Sequence, residues 1–179
     1  ELLRGFDMKQ PLVFDPFMDD TKAKNLGVKK VTLQELMKLS DFITIHCPLN
    51  DHTRNLISHS ELDLMKSTSF IINTARGGII NEDALFEVLS KKKIAGAALD
   101  CFDDEPVLEP NRFCKLDNVI LAPHSIAWTQ ELFRDMGKKC SQHMIDLSNG
   151  IRPQGVINPE VFEKPTFQKK WNSINGERK

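Results

Sequence analysis

Residues 65–85 read MKSTSFIINTARGGIINEDAL and carry the pattern that decides the fold. Residues 69–72 (SFII) form a short apolar run, which reads as a buried strand. Arg76-Gly77-Gly78 follows as a turn, whose two glycines allow close backbone approach and unusual dihedrals. Asn81 then stands as a cap for a helix over 81–89. The same alternation of short apolar run and helical pattern runs outward in both directions.

Upstream, residues 42–45 (FITI) read as a second buried strand, and residues 11–14 (PLVF) as a third that ends in Asp15-Pro16. Residues 32–39 read as a helix, with Thr32 at the cap and Glu35 three positions on, a capping-box pattern. Residues 59–65 read as a short helix. Residues 1–6 (ELLRGF) read as the last turns of a helix that ends near Gly5. Downstream, residues 95–99 (AGAAL) and 119–121 (VIL) read as strands. Residues 129–147 read as a long amphipathic helix closed by Asn149-Gly150. The tail from Ile151 carries Pro153, Pro159 and Pro165. Its stretch from Glu163 holds five basic and two acidic residues and is expected to fray. Strands that are apolar throughout, separated by helices, predict a parallel sheet covered on both faces. The fold class expected is therefore α/β, doubly wound and Rossmann-like. The expected division is 1–127 as one domain and 128–179 as a helix and tail belonging to another.

The 179 residues suit one domain, or one domain plus a piece of a second. Apolar residues make up 40% and charged residues 27%, which supports a packed core and excludes wholesale disorder. Lys and Arg total 24 against 25 for Asp and Glu, a balance that points away from nucleic acid. No apolar run approaches the roughly 20 residues that span a bilayer, so no membrane partner is expected. Cys47, Cys101, Cys114 and Cys140 are scattered and form no C-x-x-C pair, which fits a reducing, cytoplasmic setting. No metal site is expected: His46 and Cys47 are adjacent, and neighbours on a strand point to opposite faces. The chain opens on Glu1 and not on Met, and reads as a piece of a longer protein.

Ligands of doubly wound sheets bind outside the carboxyl ends of the strands. Asp15, His46-Cys47-Pro48, Asn73 to Arg76, Asp100 and Pro123-His124 all fall at such ends. An acid at the end of a dinucleotide-binding strand hydrogen-bonds the adenosine ribose diol and repels a 2′-phosphate, so Asp15 favours NAD over NADP. The plainer reading of Asp15 is a turn residue, since Asp-Pro commonly starts turns. The glycine-rich phosphate loop should lie about 20 residues before that acid. That count passes Glu1, and no G-x-G-x-x-G occurs in the sequence. The expectation is a sheet lacking its first strand and phosphate loop. Arg76 can fork onto a substrate carboxylate, or be a solvated side chain beside a glycine turn. Glu105 lies in an acidic loop (DCFDDEP), and His124 follows a strand (LAPHS). Singly, each has an ordinary structural reading. Together, a carboxylate on one imidazole nitrogen fixes the tautomer and leaves the other nitrogen as a general acid/base.

Five stretches resemble the D-isomer-specific 2-hydroxyacid dehydrogenases: VFDPF (13–17), DFITIHCPLNDHTRNLI (41–57), residues 65–85 as quoted, AGAALDCFDDEPV (95–107) and LDNVILAPHSIAWTQE (116–131). The match is collinear from about residue 10 to 150. The resemblance implies that Arg76 binds the substrate carboxylate and carbonyl, that His124 is the acid/base and that Glu105 is its partner. It implies NAD as cofactor, with Asp15 on the ribose, Cys47 and Thr74 lining the site, Asp100 holding the nicotinamide carboxamide, and His124, Ser125, Ile126 and Ala127 running along the nicotinamide. The implied reaction is reversible hydride transfer between NAD and C2 of a small 2-hydroxy or 2-oxo acid, in a homodimer. Two departures qualify it. The family's N-terminal substrate-domain segment and glycine loop lie outside these residues, so the 179 residues alone are expected to be poorly stable and inactive. Trp128 is bulky where many members are small, which suits packing against the second domain, a narrowed pocket or plain core packing. The competing readings are a non-enzymatic, NAD-sensing corepressor-like protein on the same fold, and an inactive truncated remnant.

Overall fold

Six strands pair in parallel in this computed structural model, which describes residues 5–176. β1 (Leu12–Val13) pairs with β2 (Lys29–Lys30) in a small sheet of their own. β3 (Phe42–Ile45), β4 (Phe70–Asn73), β5 (Gly96–Leu99) and β6 (Val119–Leu121) form a second sheet in that order. The parallel α/β sheet expected from the sequence is present. Among the described residues no strand joins β1 to β3, so β3 keeps one unpaired edge.

The register explains the core. Phe42 pairs with Phe70, Ile43 with Ile71, and Ala97 with Val119. Side chains alternate faces along a strand. Ile43, Ile45, Ile71, Ala97 and Leu99 therefore share one face. Against it pack Met37 of α2 (Leu33–Leu39), Leu62 of α3 (His59–Leu62) and Leu85, Val88 and Leu89 of α4 (Glu82–Ser90). The other face departs from the expected two-sided burial. Phe42 is 70% exposed and Ile120 74% exposed. Phe42 and Phe70 stack on each other there, with ring centroids 5.5 Å apart. An apolar run reads the same whether one face or both are covered, and this sheet is covered on one by its own unit's helices.

The helix starts follow their caps. Thr32 Oγ1 accepts from the Glu35 amide at 3.2 Å, and Glu35 accepts from the Thr32 amide at 2.9 Å, which completes the expected capping box. The Thr32 amide, and then the Thr32 hydroxyl, donate to the Glu35 carboxyl and hold it below its ordinary range. Asn81 accepts from the Ala84 amide at 2.9 Å and starts α4 as read. The helix expected over 59–65 is shorter, ending at Leu62. α1 (Asp20–Leu26) and β2 went unread in the sequence. α1 buries only Ala23, and both lysines of β2 are exposed, so neither has an apolar period to detect. Gly27 closes α1 at φ 71°, where only a glycine is unstrained.

The chain divides into two units between Ile126 and Ala127. The second holds α5 (Gln130–Ser148), capped by Thr129, and α6 (Pro165–Gly176). Phe133, Met136, Met144 and Ile145 on α5 are exposed. Trp128 is exposed too and meets Phe133 edge-on at 6.2 Å, so plain core packing does not describe it. The expected fraying from Glu163 is corrected by α6. Phe162 is buried against Phe167 at 5.1 Å and Trp171 at 5.7 Å, and Arg152 lies over its ring at 4.9 Å. Charge counting missed this aromatic cluster. Of the helix read over residues 1–6, residues 1–4 lie outside the described residues, and Gly5 and Phe6 form a 3-10 turn.

Thr32→Ala removes the capping bond and is expected to lower unfolding stability by about 1 kcal/mol. A denaturant melt with an unchanged midpoint would contradict that cap.

Candidate active site

The site is built where β4, β5 and β6 end. Asn73 closes β4 and is buried. Its Oδ1 accepts from the Ala75 amide at 3.1 Å, and its Nδ2 donates to the Arg76 carbonyl at 2.8 Å. The turn so formed carries Arg76 to the surface, where Nη1 donates to the Ala75 carbonyl at 2.6 Å. A Cβ on the next residue, Gly77, would stand 1.8 Å from the Phe102 carbonyl oxygen. Only glycine allows this loop to lie on the one that follows β5.

That second loop runs from Asp100 to Glu105. Glu105 Oε1 accepts from the Phe102 amide at 2.8 Å. Its Oε2 lies 2.7 Å from His124 Nδ1. An ionised carboxylate has no proton to give, so Nδ1 is the donor and Nε2 is left free. The His124 side chain is 43% exposed and Glu105 31%, so the pair is open to a small molecule. The Asp103 amide donates to Glu82 Oε1 at 2.7 Å, which ties the loop to the start of α4. Burial pushes the Glu82 carboxyl up, and the Asp103 bond opposes it. Arg112 pairs with Asp83 and lies 4.0 Å from Glu82.

The third segment follows β6. Asp100 is buried, and its carboxylate accepts from the Ser125 amide at 2.9 Å and the Ile126 amide at 3.1 Å. These bonds seat the chain just past His124. His124 itself has φ 52°, in the left-handed region that few non-glycine residues adopt. Cys101 sits among these groups. Burial pushes its thiol up to about 12, the Glu105 and Asp100 carboxylates add to that, and Arg76 opposes it. It is not a nucleophile at neutral pH.

The structure thus brings Glu105, His124, Asp100, Ser125 and Ile126 into one bonded cluster, with the Arg76 turn packed on it through Gly77. The other sequence candidates are not among these bonded groups. Asp15 follows β1, and its Oδ1 accepts from the Phe17 amide at 2.9 Å, the turn geometry of its plainer reading. Its other oxygen remains open for a diol. Cys47 and Thr74 are half-buried after β3 and β4. Burial pushes the Cys47 thiol up. Ala127 belongs to the second unit. Asn73 was read only as one of the residues at a strand end, and the close backbone approach expected at Gly77 is present against Phe102. Glu82 was not singled out: it works by main-chain contact, for which a single sequence carries no sign. The groups that could hold the two ends of a dinucleotide are an acid that would accept from a ribose diol, and a buried carboxylate with a bonded loop beside the imidazole.

Two outcomes test this geometry. Gly77→Ala is expected to destabilise the protein by about 1–3 kcal/mol, because backbone must give way on both sides. A variant melting like the parent would contradict the close approach. At pH 8, Cys114 is expected to alkylate readily and Cys101 only after unfolding, since a raised pKa leaves little thiolate. Mass mapping that finds both modified equally in the folded protein would contradict the burial.

Comparison with known proteins gives the chain its relatives. Residues 1–125 match the family model described as D-isomer specific 2-hydroxyacid dehydrogenase, NAD binding domain. The chain is 35% identical over 167 residues to glyoxylate reductase of Korarchaeum cryptofilum, covering 92% of this chain and 50% of that protein. It is 40% identical over 146 residues to D-3-phosphoglycerate dehydrogenase of Methanocaldococcus jannaschii, covering 81% of this chain and 28% of that one. Among solved structures, apo D-lactate dehydrogenase from Escherichia coli aligns with a TM-score of 0.75 at 31% identity, over 86% of this chain and 48% of that one. The chain spans half the length of these relatives or less. Residues 1–125 match the NAD-binding domain, and the chain belongs to the D-isomer specific 2-hydroxyacid dehydrogenase family.

Proposed function

We propose that the protein acts as an NAD-dependent D-2-hydroxyacid dehydrogenase on a small 2-hydroxy or 2-oxo acid. The observation that carries this reading is the 2.7 Å contact between Glu105 Oε2 and His124 Nδ1. NAD, when bound, supplies the hydride acceptor or donor. Asp15 would hold its ribose, Cys47 and Thr74 would line it, and Asp100 with His124, Ser125, Ile126 and Ala127 would flank the nicotinamide end.

The chain's own residues do the rest. In the reducing direction, Nε2 of protonated His124 gives its proton to the oxygen on C2 of the oxo acid. Glu105 keeps the ring oriented and balances the imidazolium through Nδ1. Arg76 binds the carboxylate and polarises the carbonyl, so that negative charge develops against a fixed cation. In the oxidising direction, neutral His124 takes the hydroxyl proton. The relatives' names concern glyoxylate, 3-phosphoglycerate and lactate, which supports the substrate class. Among the described residues no helix is long and apolar enough to cross a membrane. The working form proposed is a cytoplasmic homodimer.

The complete protein should be assayed with NAD(H) against glyoxylate, hydroxypyruvate and 3-phosphoglycerate. His124→Ala is expected to lower turnover by roughly 10²–10⁴-fold with NADH affinity unchanged. Turnover equal to the parent would remove the acid/base assignment.

A further inference from the structure

Asn73 has no part in the proton transfer, yet the residue is only 3% exposed and its amide is engaged at both ends. A buried amide is costly unless both its ends find partners. Here both partners come from the next three residues: the Ala75 amide on Oδ1 and the Arg76 carbonyl on Nδ2. The side chain closes the turn where no backbone-to-backbone bond does. Its main-chain carbonyl is also used, accepting from the Asp100 amide at 3.0 Å and the Cys101 thiol at 3.5 Å. One residue therefore joins the Arg76 turn to the segment that seats His124.

Arg76 gains little else to hold it. Among the described residues its guanidinium bonds only to the carbonyl of Ala75, inside the same turn. Where the guanidinium can reach is therefore set by the backbone of residues 75 and 76, and Asn73 sets that backbone. We propose that Asn73 is a positioning residue for Arg76: its amide shapes the turn from which the guanidinium meets the substrate carboxylate. This rests on the reading of Arg76 given above. Few side chains could replace it. Asp offers no donor when ionised and would turn an oxygen toward the Arg76 carbonyl. Ser is too short to span both partners, and Gln adds a methylene in a packed site.

The test uses the complete protein with Asn73→Asp, Asn73→Ser and Arg76→Ala, alone and combined. It reads kcat and KM for glyoxylate, KM for NADH, the melting temperature, and the affinity for oxalate, a planar dicarboxylate of similar shape. Each Asn73 variant is expected to lower kcat/KM for glyoxylate on the order of 10²-fold, as a misplacement of about 1 Å does. Oxalate binding should weaken and KM for NADH should hold. In the Arg76→Ala background neither Asn73 variant should lower kcat/KM or oxalate affinity further, because the group it positions is gone. Additive losses, or a matching rise in KM for NADH, would mean a general structural role and overturn the proposal. Arg76→Ala with weakened oxalate binding, beside Asn73 variants that behave as the parent, would overturn it alone. Arg76→Ala with unchanged oxalate affinity would overturn the reading of Arg76 and this inference with it. If Asn73→Asp fails to fold, Asn73→Ser decides, since it removes the amide without burying a charge.

Discussion

A row of paired residues crosses the four-stranded sheet: Ile45, Asn73, Leu99 and Leu121. Parallel hydrogen bonding holds them level, and it sends every strand out of the sheet at the same edge. The residues that follow, through Cys47, Arg76, Glu105 and His124, therefore begin from one line. A slip of one residue in β4 would turn Asn73 to the other face and carry the Arg76 turn with it. The register is held by the buried side of the sheet. Ile43, Ile71, Ala97 and Leu99 meet α2, α3 and α4 there, and that face tolerates no slip.

Beyond that edge, the loops are fixed by bonds to main chain more than by ion pairs. Asp100 holds two amides, Glu105 and Glu82 hold one each, and Asn73 holds an amide and a carbonyl. Such buried or half-buried bonds are expensive to leave unmade. The exposed pairs elsewhere, such as Lys66 with Asp41 and Lys93 with Asp63, depress their carboxyl pKa values but sit in water, where such pairs contribute little. The Glu105–His124 bond is different in kind. It decides which imidazole nitrogen is available, and so it is a chemical contact as well as a structural one.

The strands of the main sheet were legible because short apolar runs between turn residues have few other fates. The caps Thr32 and Asn81 were legible because a hydroxyl or amide just before a helical pattern has a single local use. Asp20–Leu26 and Lys29–Lys30 were illegible, since one buried alanine and two exposed lysines give no period. The one-sided burial of the sheet could not be read from runs such as FITI, where the exposed Phe42 looks like the buried Ile43. In the site, Arg76, Glu105 and His124 stood out by residue type and context. Of their supports, Gly77 was legible as a glycine that permits close approach, though not what approaches it. Asn73 looks like any strand-end polar residue and Glu82 like any first-turn acid. Their work appears only when distant loops are brought together.

The orientation of His124 is the point on which the proposed chemistry turns, and it can be observed directly. Long-range proton–nitrogen NMR on histidine-labelled protein reports which ring nitrogen carries the proton. For neutral His124 the account predicts protonated Nδ1, facing Glu105, and bare Nε2, with the pattern lost in Glu105→Ala. A proton on Nε2 in the neutral ring, or a pattern indifferent to residue 105, would contradict it.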